Sequence, residues 1–379
     1  MTREEVDKLA LSTIDKTKYL ILELITGFGK SKIAIDLINH ICDRVFKKEE
    51  SPTSVLILVA KTVHKQTWRD EIKKWGGLNT DDVTFECYES LRKHEGEYFD
   101  VVVADEMQHL SERRLEILKS IHINEAFIGL SATIKRDMKY MFTYDFGAKV
   151  ISCGLKEAVE DEILPEPKVY LLPLKLDCKD YSYKVKKFNR TIKTTQQGYY
   201  NTISSLIEWY KNRYYGSRNE RMKNLWLSTA GKRLKWLSEQ KETVVMNILS
   251  KFNNYRTLTF CSGIGQSERL GKYNITSKNK KSLEYLDMFN NNKIKHITAC
   301  SILNEGVNLY NCRIGIFCNL NSSEIITKQR TGRLLRHKSP VIILPYFKNT
   351  REEELVEKMT EEYSRESLIT INNINDIKL

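Results

Sequence analysis

The sequence predicts an α/β protein built from two parallel β-sheets covered by helices, with a basic, mainly helical insertion between their strand-rich parts. Three observations lead to this fold class. Short apolar runs alternate with helical stretches over the first 155 residues, the same alternation returns after residue 255, and a segment rich in cations and aromatic rings lies between. Because the apolar runs contain few polar residues, we expect strands that are buried on both faces, as in parallel sheets.

The individual elements follow from the same patterns. In the first part, the predicted strands are 19–25, 55–60, 99–104 and 126–130, and the predicted helices are 30–41 and 63–75. In the second part, the predicted strands are 256–261, 296–300, 313–318 and 341–344, and the predicted helices are 266–270, 282–289 and 322–331. Prolines at 165 and 167 indicate a boundary between the parts, and a capping box at 350–353 predicts a final charged helix.

These signals divide the chain into three regions. We expect a first domain over 1–155, a second over 156–349 that contains the insertion at about 177–245, and a C-terminal helix over 350–379. A length of 379 residues is typical of two or three domains.

The charge of the chain is concentrated in the insertion. The net charge is +12, and residues 175–241 hold 16 Lys/Arg against 5 Asp/Glu together with eleven aromatic residues. Cations interleaved with aromatic rings suit a polyanion whose bases can stack, and Lys184, Lys186 and Lys187 are candidate contacts. For any single aromatic residue, a place in the core is the simpler interpretation.

Composition also excludes several classes of protein. No apolar run approaches the roughly 18–20 residues that a membrane span needs, and the N-terminus lacks the apolar region of a signal peptide. We therefore expect a cytoplasmic protein. The eight cysteines form no C-x-x-C pair, which argues against a metal or iron–sulfur site and favours reduced, buried thiols.

A phosphate-binding loop is predicted where the first strand meets the first helix. Its glycines, Gly27 and Gly29, allow backbone N–H groups to approach phosphate oxygens, Lys30 supplies a cation, and Ser31 supplies a hydroxyl for Mg²⁺. The helix that begins at Lys30 adds its positive N-terminal dipole. Leu24 occupies the first glycine position of the full pattern, so a tight strand–helix turn is the alternative interpretation.

Two adjacent carboxylates end another buried strand. Asp105 and Glu106 follow the apolar run 101–104, at the carboxyl end of a strand where open α/β sheets bind their ligands. Asp105 can hold Mg²⁺, and Glu106 can orient and deprotonate an attacking water. The two sites together predict nucleotide hydrolysis.

With these sites in place, the chain resembles a superfamily-2 helicase or translocase of the DExH type. The similarity extends over nearly the whole chain. Within this family, the chain resembles phage and bacterial recombination helicases. Eight short motifs carry it, in order: 26–31, 56–62 with 66–71, 87–91, 105–109, 131–133, 257–262, 304–308 and 329–336.

The resemblance implies two tandem RecA-like P-loop NTPase domains with ATP and Mg²⁺ in the cleft between them. Arg333 and Arg336 would be arginine fingers from the second domain, and Gln329 would contact the phosphates or the water. Ser131 and Thr133 would couple the nucleotide state to domain closure. The implied nucleotide ligands are Thr26, Gly27, Phe28, Gly29, Lys30, Ser31 and Asn308.

The resemblance also implies that nucleic acid crosses both domains and is held through its phosphates. The candidate contacts are Lys61, Thr62, Ser90, Ser262 and Gly306. Such binding has little sequence preference. We expect a monomeric motor on branched or forked DNA. Only 22 residues separate Gly306 from Gln329, too few for a strand-splitting hairpin, so a wedge would have to come from the insertion.

The sequence departs from the family pattern at three places, and two other functions are alternatives to a DNA motor. No glutamine precedes Lys30 to recognise adenine, Gln108 takes the fourth place of the carboxylate motif, and Asn308 stands where an aspartate often contacts the ribose. The other functions are an RNA helicase and a nucleic-acid clamp whose ATPase only times release.

Overall fold

The computed structural model describes residues 1–49, 52–187, 190–300, 309–320 and 330–379. These residues form two compact units, each with a parallel sheet. The first unit comprises residues 1–165 and, from late in the chain, residues 330–336; the second comprises the other described residues from 166 onward. The observed boundary falls between Pro165 and Glu166, at the prolines that indicate a boundary in the sequence and ten residues after the predicted end of the first domain at 155.

The sheet of the first unit has six parallel strands in the order β3-β2-β4-β5-β1-β6. The strands are β1 (Tyr19–Leu24), β2 (Val55–Val59), β3 (Val83–Cys87), β4 (Tyr98–Asp105), β5 (His122–Ser131) and β6 (Lys149–Cys153). All five residues of β2 are buried, as expected for an inner strand covered on both faces. The edge strand β3 instead alternates buried and more exposed residues.

Helices follow most strands of this unit and supply its outer layers. They are α1 (Arg3–Ile14), α2 (Lys30–Glu49), α3 (Thr62–Trp75), α4 (Glu112–Ser120), α5 (Arg136–Asp145) and α6 (Leu155–Glu160). Shorter 3₁₀ turns cover Tyr88–His94 and Met107–His109. One large apolar core includes Tyr88, Met107 and Phe127, and it fixes the carboxyl ends of the central strands.

The second unit has a seven-stranded parallel sheet in the order β11-β12-β10-β13-β14-β7-β15. The strands are β7 (Lys168–Leu174), β10 (Thr257–Phe260), β11 (Asn274–Ile275), β12 (His296–Ala299), β13 (Ile314–Phe317), β14 (Val341–Phe347) and β15 (Leu368–Thr370). The helices are α9 (Glu242–Lys251), α10 (Ile264–Leu270), α11 (Ser282–Asn290) and α12 (Arg351–Thr360).

The insertion lies between β7 and β10 in the chain and contains two hairpins. A two-stranded antiparallel ribbon pairs β8 (Tyr183–Lys187) with β9 (Arg190–Thr194), and a helical hairpin pairs α7 (Gln196–Ser217) with α8 (Glu220–Gln240). The insertion is mainly helical, in agreement with the sequence pattern, although the ribbon was not predicted.

A buried ion pair anchors the end of the insertion in the second unit. Lys241 donates to Glu352 Oε1 at 2.6 Å and to the carbonyl of Pro345 at 3.1 Å, and both charged side chains are almost fully buried. The second carboxylate oxygen of Glu352 accepts the Phe347 N–H at 3.1 Å. Because each charge is paired and hydrogen-bonded, the cost of its burial is offset.

The prediction of one helix over 350–379 is wrong. The helix ends at Thr360, and the chain then adds β15 in parallel beside β7. The short apolar sequence of β15, Leu368-Ile369-Thr370, carries too little local signal to reveal a strand, because only its pairing with β7 defines it. The predicted helix 322–331 lies almost entirely outside the described residues.

Candidate nucleotide site

The phosphate-loop candidate occupies the turn between β1 and α2. Gly27 and Gly29 have φ angles of +96° and +109°, a conformation that other residues rarely adopt. A side-chain carbon added at Gly29 would meet no atom within 4 Å, so the loop leaves open space on that side. Phe28 is buried, and its N–H donates to the carbonyl of Ile25 at 3.1 Å, which anchors the loop to the end of the strand.

Lys30 and Thr26 supply the polar groups that face this loop. Lys30 Nζ donates to the carbonyl of Leu24 at 2.8 Å. Burial lowers the pKa of this ammonium group, whereas the charges of Glu106 and Asp105 raise it. Among the described residues, no group pairs with the buried hydroxyl of Thr26. A cation, an unsatisfied hydroxyl and open space beside Gly29 fit a nucleotide phosphate, and Ser31 follows Lys30 at the start of α2.

The carboxylate pair lies at the carboxyl end of β4. Asp105 Oδ2 accepts the Trp68 Nε1–H at 2.9 Å, and the backbone carbonyl of Asp105 accepts the Tyr88 hydroxyl at 2.8 Å. Burial and the charge of Glu106 raise the pKa of Asp105 to about 7. A carboxylate that resists ionisation in a buried site is one that a divalent cation would stabilise, so the donor set fits Mg²⁺. Sequence reasoning did not assign roles to Trp68 and Tyr88.

Glu106 has a strained backbone and a defined side-chain partner. Its φ and ψ angles are 51° and 55°, which is the left-handed region and is unfavourable for a residue other than glycine. Gln108 Nε2 donates to Glu106 Oε2 at 2.7 Å. Gln108, which departs from the family pattern in the sequence, therefore orients the carboxylate that is predicted to act as the base.

Gln108 also connects Glu106 to the segment that was predicted to couple nucleotide state to closure. Ser131 Oγ lies 2.6 Å from Gln108 Oε1 and 2.8 Å from the carbonyl of Thr133, and it accepts the Thr133 N–H at 3.1 Å. A hydroxyl has one hydrogen, so Ser131 donates to one of these two oxygens at a time. Gln108 therefore joins Glu106 and Ser131 in one chain of hydrogen bonds.

Glu23 forms a further link that the sequence motifs did not reveal. It lies one residue before the end of β1, and its carboxylate accepts the Ile134 N–H at 3.0 Å and Lys139 Nζ at 2.7 Å. The strand that leads into the phosphate loop is thereby tied to the segment that follows Thr133. No local sequence pattern could have indicated this bond, because its partners lie more than a hundred residues apart.

The arginine segment 330–336 groups with the first unit, although the predicted division of the chain placed it in the second domain. Residues 330–334 are helical. A side-chain carbon at Gly332 would lie 2.5 Å from Thr26 Cβ and 2.7 Å from the Thr26 carbonyl oxygen, so only glycine allows this approach. Arg333 is buried and Arg336 is exposed, and the charge of Arg336 lowers the pKa of Lys30.

Three predicted site residues, Gln329, Asn308 and Gly306, lie outside the described residues. The remaining candidate contacts to nucleic acid follow strands of the two units and are described for each unit in turn. In the first unit, Lys61 and Thr62 are exposed after β2, and Ser90 is half-buried after β3. In the second unit, Ser262 follows β10, where its N–H and hydroxyl donate to Gln266 Oε1 at 2.8 and 2.9 Å.

The basic ribbon places like charges side by side. Lys184 and Lys186 are exposed, and Lys184 lies directly opposite Lys193 in the antiparallel pairing. Like charges at directly opposed positions destabilise a ribbon in isolation, and a bound polyanion would remove that cost. The side chain of Lys187 lies outside the described residues.

The aromatic residues of the insertion divide into two groups. Tyr200 is buried in a small core with Leu237 and Phe347, so the core interpretation holds for this ring. Trp209, in contrast, exposes about half of its surface (49%). The structure therefore leaves only part of this set available for ligands.

The described part of the chain contains no cluster of metal-binding side chains and no disulfide. There, no group of three or more His, Cys, Asp and Glu side chains could hold a metal ion, and no cysteine forms a disulfide. Most of these thiols are buried or half-buried, as predicted, but Cys178 is exposed. Burial raises the pKa of Cys312 to about 12 and that of Cys318 to about 11, which makes both unreactive. No described helix is long and apolar enough to cross a membrane.

Comparisons with known proteins identify the family to which the chain is similar. Residues 2–136 match the family described as "Type III restriction enzyme, res subunit", and residues 222–338 match "Helicase conserved C-terminal domain". A curated relative, the DNA 3'-5' translocase XPB2 of Sulfurisphaera tokodaii, is 23% identical over 371 residues that include 87% of this chain and 77% of the relative.

Two solved structures share the fold at low identity. The Hef helicase domain of Pyrococcus furiosus superposes with a TM-score of 0.52 at 12% identity, over 93% of this chain and 97% of that one. A fragment assigned to the HsdR subunit of a type I restriction enzyme from Vibrio vulnificus superposes with a TM-score of 0.61 at 15% identity, over 97% of this chain and 67% of that one. The two parallel-sheet units are tandem RecA-like domains, and the chain is a superfamily-2 helicase-like protein.

Proposed function

We propose that the protein is an ATP-dependent DNA translocase or helicase that acts on branched or forked DNA. The observation that carries the proposal is the convergence of Lys30, Asp105 and Glu106 in one unit, close enough that both carboxylates shift the pKa of the lysine. This convergence supports a site for a nucleoside triphosphate and its metal. DNA is favoured over RNA because the curated relative is named a DNA translocase.

Each residue has a distinct task in the proposed hydrolysis. The glycine backbone at Gly27 and Gly29 forms the turn, the open space beside Gly29 leaves room for the phosphates, and Lys30 offsets their charge. Mg²⁺ held by Ser31 and Asp105 would neutralise charge that develops between the β- and γ-phosphates. Glu106, which Gln108 orients, takes the proton of the attacking water.

The bond from Gln108 to Ser131 offers a path from chemistry to movement. When Glu106 gains a proton, its hold on the Gln108 amide weakens, and Ser131 can then exchange its partner between Gln108 and the carbonyl of Thr133. We propose that this exchange reports hydrolysis to the rest of the motor. Arg333 and Arg336 are proposed to stabilise the transferring phosphoryl group.

The nucleic acid is proposed to bind through its phosphates. Lys61, Thr62, Ser90 and Ser262 are proposed contacts in the two domains, and the ribbon lysines Lys184, Lys186 and Lys187 provide more. Electrostatic binding of this kind is strongly salt-dependent and has little sequence preference. We further propose that the protein acts as a monomer in the cytoplasm, which light scattering and cell fractionation would test.

The decisive experiment is ATP hydrolysis titrated with single-stranded DNA, duplex DNA, forked DNA and RNA of equal length. Stimulation that is greatest with forked DNA is the expected result. Greater stimulation by RNA would favour the RNA-helicase alternative. Release of a labelled strand from the fork separates a helicase from a translocase, and ATP-dependent release of the protein without movement would indicate a clamp. Hydrolysis that no nucleic acid stimulates would refute the proposal.

A further inference from the structure

The turn between α7 and α8 carries a group of aromatic rings and cations, which we call the turn cluster. Its members are Tyr214, Tyr215, Arg218, Lys223 and Trp226. The ring centroids of Tyr214 and Tyr215 are 5.5 Å apart, and each lies about 6 Å from that of Trp226, at 6.2 and 6.0 Å. Three mutually contacting rings therefore close the end of the helical hairpin. Tyr215 nevertheless exposes 53% of its surface.

Arg218 occupies a position where glycine would be more stable. It caps α7 with φ and ψ of 53° and 25°, in the left-handed region, and its N–H donates to the carbonyl of Tyr214 at 2.6 Å. Glycine is the usual residue at such a helix end because any other side chain is strained there. A strained arginine at an exposed turn points to a role for its side chain.

The guanidinium group of Arg218 is directed at the rings rather than at a carboxylate. It lies 5.9 Å from the ring centroid of Tyr214 and 5.8 Å from that of Tyr215. Within the part of the chain that the structure describes, no carboxylate forms an ion pair with Arg218, whereas Lys223 pairs with Glu220 at 3.3 Å. The charge of Arg218 is thus available for an anionic ligand beside an exposed ring.

The same pairing of cation and exposed ring occurs earlier on α7. Arg213 lies 5.4 Å from the ring of Trp209, which is also about half exposed. Residues 206–227 contain five Lys/Arg and two Asp/Glu, so the exposed apolar surface lies within a positive field. A protein partner with an apolar face gains little from these cations. Nucleic acid supplies both a planar base for the ring and a phosphate for the guanidinium.

We propose that the turn cluster binds unpaired nucleotides, with a base stacked on Tyr215 and the adjacent phosphate bound by Arg218. The inference rests on the proposed function, because it assumes a nucleic-acid substrate, and it adds that this substrate presents unpaired bases to the insertion. Stacking recognises the base and the ribbon lysines recognise the backbone. A fork or branch, which offers both, would therefore engage the insertion better than a continuous duplex does.

The test compares two labelled strands of equal length, oligothymidine and an abasic sugar-phosphate strand, by fluorescence anisotropy with the full chain and without ATP. Tyr215→Ala should weaken binding of oligothymidine about 5- to 150-fold, the range of ~1–3 kcal/mol for one stacked base, and leave the abasic strand unaffected. Arg218→Gly should weaken binding of both strands. Arg221→Ala, which removes an exposed arginine on the first turn of α8, is the matched control and should change neither.

Arg218→Gly keeps the test decisive if Tyr215→Ala impairs folding. Glycine suits the left-handed cap, so the melting temperature of Arg218→Gly should equal or exceed that of the wild type. Unchanged affinity of both variants for oligothymidine would overturn the inference and leave the turn cluster to a protein partner. The ATPase of the wild type distinguishes failure of this inference from failure of the proposed function. If the proposed function is wrong, no nucleic acid stimulates the wild-type ATPase, whatever the strand-binding assay shows.

Discussion

Replacing Glu106 by glutamine separates the proposed chemistry from binding. Glutamine keeps an oxygen that can accept the 2.7 Å bond from Gln108, so the side chain should stay in place. The variant loses the charge and basicity that the attacking water requires. A positioned general base contributes about 10²–10⁴-fold to a rate, so hydrolysis should fall by that factor, which corresponds to ~2.7–5.5 kcal/mol in the barrier.

Stability should not fall in this variant. The charge of Glu106 is one cause of the raised pKa of Asp105, which shows that the two carboxylates repel each other. Its removal relieves that repulsion, and the melting temperature should be unchanged or higher. The matched control is Glu116→Gln, which neutralises an exposed carboxylate of the same unit that is bonded to Lys119. The control should hydrolyse ATP at the wild-type rate.

The assay is steady-state hydrolysis at saturating ATP and single-stranded DNA, with nucleotide affinity measured separately by a fluorescent analogue. We expect Glu106→Gln to bind the analogue at least as tightly as the wild type while hydrolysis is lost. Wild-type turnover in this variant would refute the assignment of Glu106 as the base. Loss of binding together with a lower melting temperature would show instead that Glu106 is structural.

Three further predictions concern other residues. Arg336→Ala should lower hydrolysis by ~10³-fold or more with little change in nucleotide binding, if the arginine stabilises the transferring phosphoryl group; normal hydrolysis would assign it to the helix surface. Neutralising Lys184 and Lys186 should flatten the dependence of log K on log salt by about 0.9 for each lost phosphate contact; an unchanged slope would show that these lysines only maintain solubility. Burial lowers the pKa of His296 to about 4, so the unfolded chain binds more protons than the folded one between about pH 4 and 6.5. The free energy of unfolding should therefore fall by about 1 kcal/mol as the pH is lowered from 7 to 5.5. His296→Gln should remove that loss in urea denaturation, and an equal pH dependence in both proteins would contradict the burial argument.

Most inner strands could be predicted because burial on both faces leaves a continuous apolar run. The inner strand β7 was not predicted, and only three of its seven residues are buried. Strand β2 is wholly buried, and its five residues are Val, Leu, Ile, Leu and Val. Strand β3, at the edge of the same sheet, alternates instead, and β15 has only three residues. Edge strands escaped prediction because one face meets solvent and their pairing partner, rather than their own composition, defines them.

The sequence by itself predicted the chemistry of the phosphate loop and of the carboxylate pair. A left-handed backbone at Gly27 and Gly29 needs glycine, and a metal and a water need a carboxylate each, so residue type and spacing were enough. Only the tertiary structure decided how these groups are connected. Gln108 bridges Glu106 and Ser131, and Glu23 reaches the chain beyond Thr133. Hydrogen bonds between residues far apart in sequence leave no periodic trace, because they depend on strand order and on the packing that brings the ends of β1, β4 and β5 together.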